Sequence, residues 1–137
     1  NAGDTPEATE EALEFCGLAR ENYDRPACEL SVFDKKRLMV ASALAMNPAV
    51  LLMDEPASGL TKPEVSETAE LIQRLNGRGI TIVLIEHVLA LLLEVSQHLM
   101  VLNEGAVLAS GLPAEGVRDE RVIEAYLGSK GRDGDAA

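Results

Sequence analysis

The chain has 137 residues, 47% hydrophobic and 26% charged, which fits one soluble globular domain able to bury a core. Its net charge of −11, with no Trp, two Tyr and two Phe, argues against nucleic-acid binding, because an acidic surface repels phosphates and offers no aromatic platform for bases. No signal peptide is visible, and the longest near-continuous apolar stretch, from Val88 to Val95, is broken by Glu94 and falls far short of the ~20 residues of a membrane span.

In chain order, residues 1–7 are small and polar and read as a frayed end, and residues 8–20 carry the spacing of a short amphipathic helix. Acid is concentrated here: residues 1–34 hold nine acids against Arg20 and Arg25, the pattern of a solvated face. Cys16 and Cys28 form no CxxC pair, and two unpaired thiols fit a reducing compartment. Residues 21–30 contain Pro26 and read as a loop. Ser31 sits where a helix N-cap belongs, and the helix it opens runs to Asn47-Pro48.

Residues 49–53 are a short apolar run, the mark of a buried strand, and Asp54-Glu55-Pro56 follow it. Thr61 and Glu64 form a capping box, opening a helix that aims Val65, Ala69, Ile72 and Leu75 at the core and stops near Gly77. Residues 80–85 predict a second strand, ending in Glu86-His87, and residues 88–96 another helix. A hairpin follows, with strands at 98–102 and 106–109 around Asn103-Glu104-Gly105. Residues 119–127 predict a last helix, and the Gly/Asp/Ala-rich end a flexible tail. Two apolar strands alternating with helices predict an α/β fold with a parallel, two-sided sheet, and the hairpin an antiparallel edge.

Three constellations carry candidate chemistry. In Val50-Leu51-Leu52-Met53-Asp54-Glu55 a strand delivers two acids to the carboxyl edge of a sheet, where open α/β folds bind ligands. Asp54 suits a hard cation such as magnesium, and Glu55 could poise a water as general base. The run equally fits a buried strand ending in surface acids. His87, at the end of the second strand, suits a phosphate oxygen or a water, and equally a satisfied junction histidine. Leu30-Ser31-Val32-Phe33-Asp34 places a hydroxyl and free N–H groups at a helix start, a phosphate-attracting arrangement and also an ordinary cap.

The order and spacing of these pieces resemble the ATP-binding-cassette (ABC) ATPases: signature motif at Leu30-Ser31, Walker B through Asp54-Glu55, D-loop at Ser58-Gly59-Leu60-Thr61 and H-loop at His87. The stretches Ile85-Glu86-His87, Val101-Leu102-Asn103-Glu104-Gly105, Gly111-Leu112-Pro113-Ala114-Glu115 and residues 122–128 resemble the ATPase subunits of branched-chain amino-acid importers. The resemblance covers residues 8–128 and implies the C-terminal portion of a P-loop NTPase domain. It implies that Asp54 holds Mg2+ through a water, that Glu55 and His87 are catalytic, and that Ser31, Val32, Phe33 and Asp34 meet ATP bound to a second ATPase subunit. Transmembrane permease subunits, a place on the cytoplasmic face of the plasma membrane and ATP with Mg2+ as cofactors follow from the same resemblance.

Three features depart from the pattern, the mildest being Thr61, which stands where many members of the family have Asp in the D-loop and which also serves as a helix N-cap. No GxxxxGK[ST] phosphate loop occurs in the 137 residues. The family's two signature glycines correspond to Val32 and Phe33, and a bulky Phe33 hinders close backbone approach to a phosphate. The asparagine at position 1 suggests an excised piece, so the expected N-terminal half of the domain is itself a partner. The predicted role is therefore part of an ATP-hydrolysing transport subunit, inactive alone with no nucleotide bound. The competing reading is a non-catalytic half-domain acting as an interaction or regulatory module. A receiver-like signalling domain leaves His87 and the hairpin unexplained.

Overall fold

The structure, a computed structural model, describes residues 6–127. The expected tail over 129–137 lies outside the described residues, as do positions 1–5 of the expected frayed end. The elements run α1 (Pro6–Phe15), two single 3-10 turns (Arg20–Asn22 and Ala27–Glu29), α2 (Val32–Leu44), β1 (Val50–Asp54), α3 (Lys62–Gly77), β2 (Thr81–Ile85), α4 (Leu89–Val95), β3 (Leu99–Asn103), β4 (Ala106–Gly111), α5 (Pro113–Gly116) and α6 (Glu120–Leu127). The chain divides between Leu91 and Leu92 into two compact units. No described helix is long and apolar enough to cross a membrane.

In the first unit, α1 ends well before Arg20, where the amphipathic spacing places its end. The cause is local: Gly17 takes a left-handed φ of 77°, and the Leu18 N–H donates to Leu13 O while the Gly17 N–H donates to Glu14 O. That pair of bonds is a Schellman stop, and glycine enters it without a Cβ penalty. The Phe15 ring just before the stop is covered by two arginines, Arg78 at the C-cap of α3 at 3.6 Å and Arg74 one turn earlier at 5.3 Å from its centroid. Arg74 also donates to Phe15 O at 2.9 Å, so α3 grips the end of α1 through both ring and backbone.

Helix α3 begins where the capping box predicts. The Glu64 carboxylate accepts from both the Thr61 N–H and its hydroxyl at 2.7 Å. The buried stripe is Thr68, Ala69, Leu71, Ile72 and Leu75, with Val65 at its margin. Leu75 is fully buried, and a leucine so placed contributes about 1.5–3 kcal/mol. The helix stops at Gly77, as expected, and Gly79, two residues on, takes the left-handed φ of 85° that turns the chain away. The chain then turns directly into β2.

β1 and β2 pair in parallel, with Val50 opposite Thr81 and Asp54 opposite Ile85. Both are apolar runs, and the sequence predicts a sheet covered on both faces. Instead β1 alternates: Leu51 and Met53 are buried, whereas Val50, Leu52, Val83 and Ile85 are 48–75% exposed. One face of the parallel pair is thus a bare apolar surface. An alternating strand would have carried polar residues there; these strands are built to be covered twice.

The second unit is the hairpin with α5 and α6. Glu104 and Gly105 both have positive φ, 48° and 80°, and connect the paired Asn103 and Ala106. A two-residue loop of that hand matches the twist of the strands it joins. The register slips between Val101 and Leu102, leaving Leu108 as the extra residue of a bulge. α5, absent from the sequence expectation, lies on the hairpin; a Cβ at Gly116 would approach Leu99 Cδ2 to 3.0 Å. Asp119 precedes α6 and accepts from the Arg121 N–H and guanidinium, which holds its carboxyl below the usual range.

Candidate functional site

The carboxyl ends of β1 and β2 bring the sequence-predicted acids and histidine together within the first unit. β1 ends at Asp54, and the next residue, Glu55, enters the left-handed region at φ 46°. That conformation costs a non-glycine residue about 1–2 kcal/mol. Three hydrogen bonds hold it: the Glu55 N–H donates to Ile85 O at 2.8 Å, Lys36 Nζ donates to Glu55 O at 2.9 Å, and the Ser58 N–H donates to the same oxygen at 3.2 Å. The sharp turn separates the Asp54 and Glu55 side chains. A strained backbone over-determined by its surroundings is a feature of functional positions.

His87 Nδ1 lies 3.5 Å from Glu55 Oε1 and 3.8 Å from Glu86 Oε2. The His87 and Glu55 side chains are 63% and 55% exposed, so water screens their attraction, and both remain accessible to a reactant. The Glu86 side chain, by contrast, is 0% exposed. It accepts from the Ala57 N–H at 2.6 Å, the His87 N–H at 3.0 Å and the Val88 N–H at 3.2 Å. Sequence reasoning assigned Glu86 and Lys36 no role. The signal for Glu86 was an acid set directly on an apolar strand end, where burial obliges it to find donors.

The D-loop candidates form a tight turn on the same loop. The Leu60 N–H donates to Ala57 O, and Gly59 has φ 75°. A Cβ at Gly59 would lie 4.0 Å from Val32 Cγ1, which places the start of α2 beside this turn. Thr61, the last D-loop candidate, is engaged by Glu64 at the start of α3.

At the signature candidates the local bonds are those of a helix cap. Ser31 Oγ accepts from the Asp34 N–H at 3.0 Å and donates to Asp34 Oδ2 at 3.0 Å. Phe33 is half-buried, with the Arg37 guanidinium 3.9 Å from its ring centroid. Arg37 is in turn paired with Glu67 of α3 and reaches Asp34 at 3.9 Å. Phe33 also lines a cavity of about 370 Å3 between α2, β1 and α3, together with Met39, Leu52 and Asp54. The Phe33 ring therefore packs within its own chain.

Among the described residues no three His, Cys, Asp or Glu side chains gather as a metal site. Asp54 offers one hard carboxylate at the strand end, which fits a single position around magnesium and not a whole shell. Cys16 is buried and Cys28 exposed, and neither is bonded to the other. Burial pushes the Cys16 thiol up to about 11, so it behaves as a core residue.

Comparison with known proteins agrees with this geometry. The family described as "Branched-chain amino acid ATP-binding cassette transporter" matches residues 106–131. The chain is 42% identical over 117 residues to the high-affinity branched-chain amino acid transport ATP-binding protein LivG of Salmonella typhimurium, covering 85% of this chain and 46% of LivG. It is 40% identical over 110 residues to the corresponding protein BraF of Pseudomonas aeruginosa, covering 79% of this chain and 43% of BraF. Among solved structures, the ADP conformation of MJ1267, an ATP-binding cassette of an ABC transporter, superposes with a TM-score of 0.81 at 33% identity, over 89% of this chain and 49% of that one. The chain spans about half the length of the relatives it matches. Over that span the chain matches the ABC-transporter ATPases of the branched-chain amino-acid type.

Proposed function

We propose that this chain supplies the water-activating half of an ATP-hydrolysing cassette that energises import of branched-chain or similar small amino acids. The observation that carries the reading is the strained Glu55, held by bonds from α2, β2 and its own turn, with His87 Nδ1 3.5 Å from its carboxylate. Glu55 poises the attacking water as general base, and His87 contacts the γ-phosphate. Asp54 would hold Mg2+, which would supply neutralising charge for the phosphates. Ser31, Val32, Phe33 and Asp34 face ATP on a second ATPase subunit, and Ser58, Gly59, Leu60 and Thr61 couple the two sites. The cassette works against permease subunits at the inner face of the plasma membrane.

The 137 residues are inactive alone on this reading, because no GxxxxGK[ST] loop is among them to cradle the β- and γ-phosphates. The bare face of Val50, Leu52, Val83 and Ile85 is where the phosphate-loop half of the domain docks. The three units proposed for the chain are an N-terminal end over 1–7, the cassette portion over 8–128 and a tail over 129–137.

A second reading is a half-domain that binds a partner without hydrolysis, favoured by the mutual satisfaction of Ser31 and Asp34 and by the packing of Phe33 beneath Arg37. Calorimetry with ATP and magnesium separates the two. It is run on the chain alone and on the chain mixed with the phosphate-loop half of a homologous cassette. The expected result is binding in the mixture only, with hydrolysis that Glu55→Gln lowers about 10²–10⁴-fold while ATP still binds. Absence of binding in both experiments sinks the catalytic reading and leaves the interaction module.

A further inference from the structure

A carboxylate taken out of water costs several kcal/mol unless donors fill its lone pairs. Glu86 takes its hydrogen bonds from three backbone amides, from two loops far apart in sequence, with His87 Nδ1 a further 3.8 Å neighbour of Oε2. Oε2 accepts from His87 and Val88, its immediate neighbours, and Oε1 accepts from Ala57, 29 residues upstream, at the short distance of 2.6 Å. The local bonds alone would cap the end of β2; the Ala57 bond does something else. It ties the turn after Glu55 to the loop that carries His87.

The opposite side of that turn is also tied, since Lys36 Nζ of α2 donates to Glu55 O at 2.9 Å. Glu55, Pro56 and Ala57 are thus held at both ends in a conformation that Glu55 would not adopt unaided. Glutamine cannot replace Glu86 here. Its amide has one acceptor oxygen, and its NH2 would face an N–H on one side or the other. Aspartate, one methylene shorter, cannot span from the His87 loop to Ala57.

We infer that Glu86 is a positioning residue, a buried anionic clasp that locks the turn following Glu55 to the His87 loop and so fixes the separation of these two groups. Its effect on turnover rests on the function proposed above; the clasp itself does not. Amide hydrogen exchange on the chain tests it directly. Glu86→Gln is expected to raise exchange at Ala57 at least tenfold while the amide of Leu75, in the core of α3, changes less than threefold. Unchanged exchange at Ala57, or an equal rise at Ala57 and Leu75, overturns the clasp.

The catalytic consequence is read in the chain mixed with a phosphate-loop half. Glu86→Gln lowers kcat at least tenfold with the KM for ATP within threefold, but less than threefold when His87 is already Ala. A purely structural loss would cost the same on both backgrounds. An equal loss on both overturns the positioning role. A wild-type mixture without hydrolysis removes the proposed function, and the clasp then stands or falls on hydrogen exchange at Ala57 alone.

Discussion

Two loops of the first unit carry the candidate chemistry, and they are held in opposite ways. The turn after β1 is fixed by groups far away in sequence: Lys36 from α2, Ile85 from β2 and Glu86 beyond it. These partners bind backbone atoms and leave the Glu55 and His87 side chains more than half exposed. The start of α2 is capped by its own residues, and Arg37 ties it to Glu67 of α3. Ser31 and Asp34 satisfy each other, and Phe33 lies under Arg37 four residues on. The first arrangement presents side chains to a reactant; the second consumes them in folding. Side chains that stay exposed at a strand end depend on backbone held by others, and a motif whose polar groups bond each other has its geometry set before any ligand arrives.

The sharpest way to break the comparison is to empty the second loop of its packing. Phe33→Gly puts in place the glycine that the resemblance implies at this position. It removes the stacking on Arg37, enlarges the cavity between α2, β1 and α3, and adds a glycine to the first turn of α2. The expected cost is about 2–3 kcal/mol of stability in thermal or urea unfolding. In the assembled cassette, hydrolysis per folded chain is expected to rise, since a backbone without that ring lets phosphate approach. A fall in hydrolysis per folded chain would mean that the ring itself, and not only the backbone beneath it, serves the contact with ATP.

Features that the sequence made legible are those whose cause lies within a few residues. Ser31 caps α2, Thr61 and Glu64 open α3, and Glu104-Gly105 turn the hairpin, each by chemistry among near neighbours. The parallel pair followed from apolar runs too continuous for an amphipathic element. Features that were missed need a distant partner or a choice between equivalent residues. Nothing near Glu86 announces that its oxygen meets Ala57, and nothing near Lys36 announces Glu55 O. The stop of α3 at Gly77 was legible, but the left-handed turn after it falls on Gly79, a place set by where β2 must start. At α1 the stop was present in Gly17, but the amphipathic spacing continues past it. The open sheet face was unreadable for another reason, because apolar strands say that a face wants covering and not whether this chain covers it.

A smaller effect sharpens the same contrast at Ser31. Ser31→Ala removes the acceptor for the Asp34 N–H and costs about 1 kcal/mol, while Ser31→Asp keeps a cap and costs a few tenths. Both substitutions are expected to depress hydrolysis in the assembled cassette, the alanine by losing the hydroxyl and the aspartate by setting a negative charge where a phosphate would lie. The pairing separates the two duties of one side chain. If Ser31→Asp restored both stability and hydrolysis, Ser31 would be a cap and nothing more.

The smallest effect concerns the cap that makes no claim to chemistry. Bonds from the Thr61 N–H and hydroxyl hold the Glu64 carboxyl below its ordinary value of 4.5. A lowered value in the folded state means that the folded chain binds fewer protons there than the unfolded chain does. The contribution is therefore fully present above the unfolded value and is lost as pH falls through the folded one. Glu64→Gln keeps a neutral acceptor for Thr61 and has nothing to titrate. The wild type is expected to lose stability relative to Glu64→Gln as pH drops below 4.5, with a constant difference between them at higher pH. Parallel curves over the whole acid range would show that Glu64 holds its helix start by shape alone, and that a locally satisfied cap carries no charge dependence.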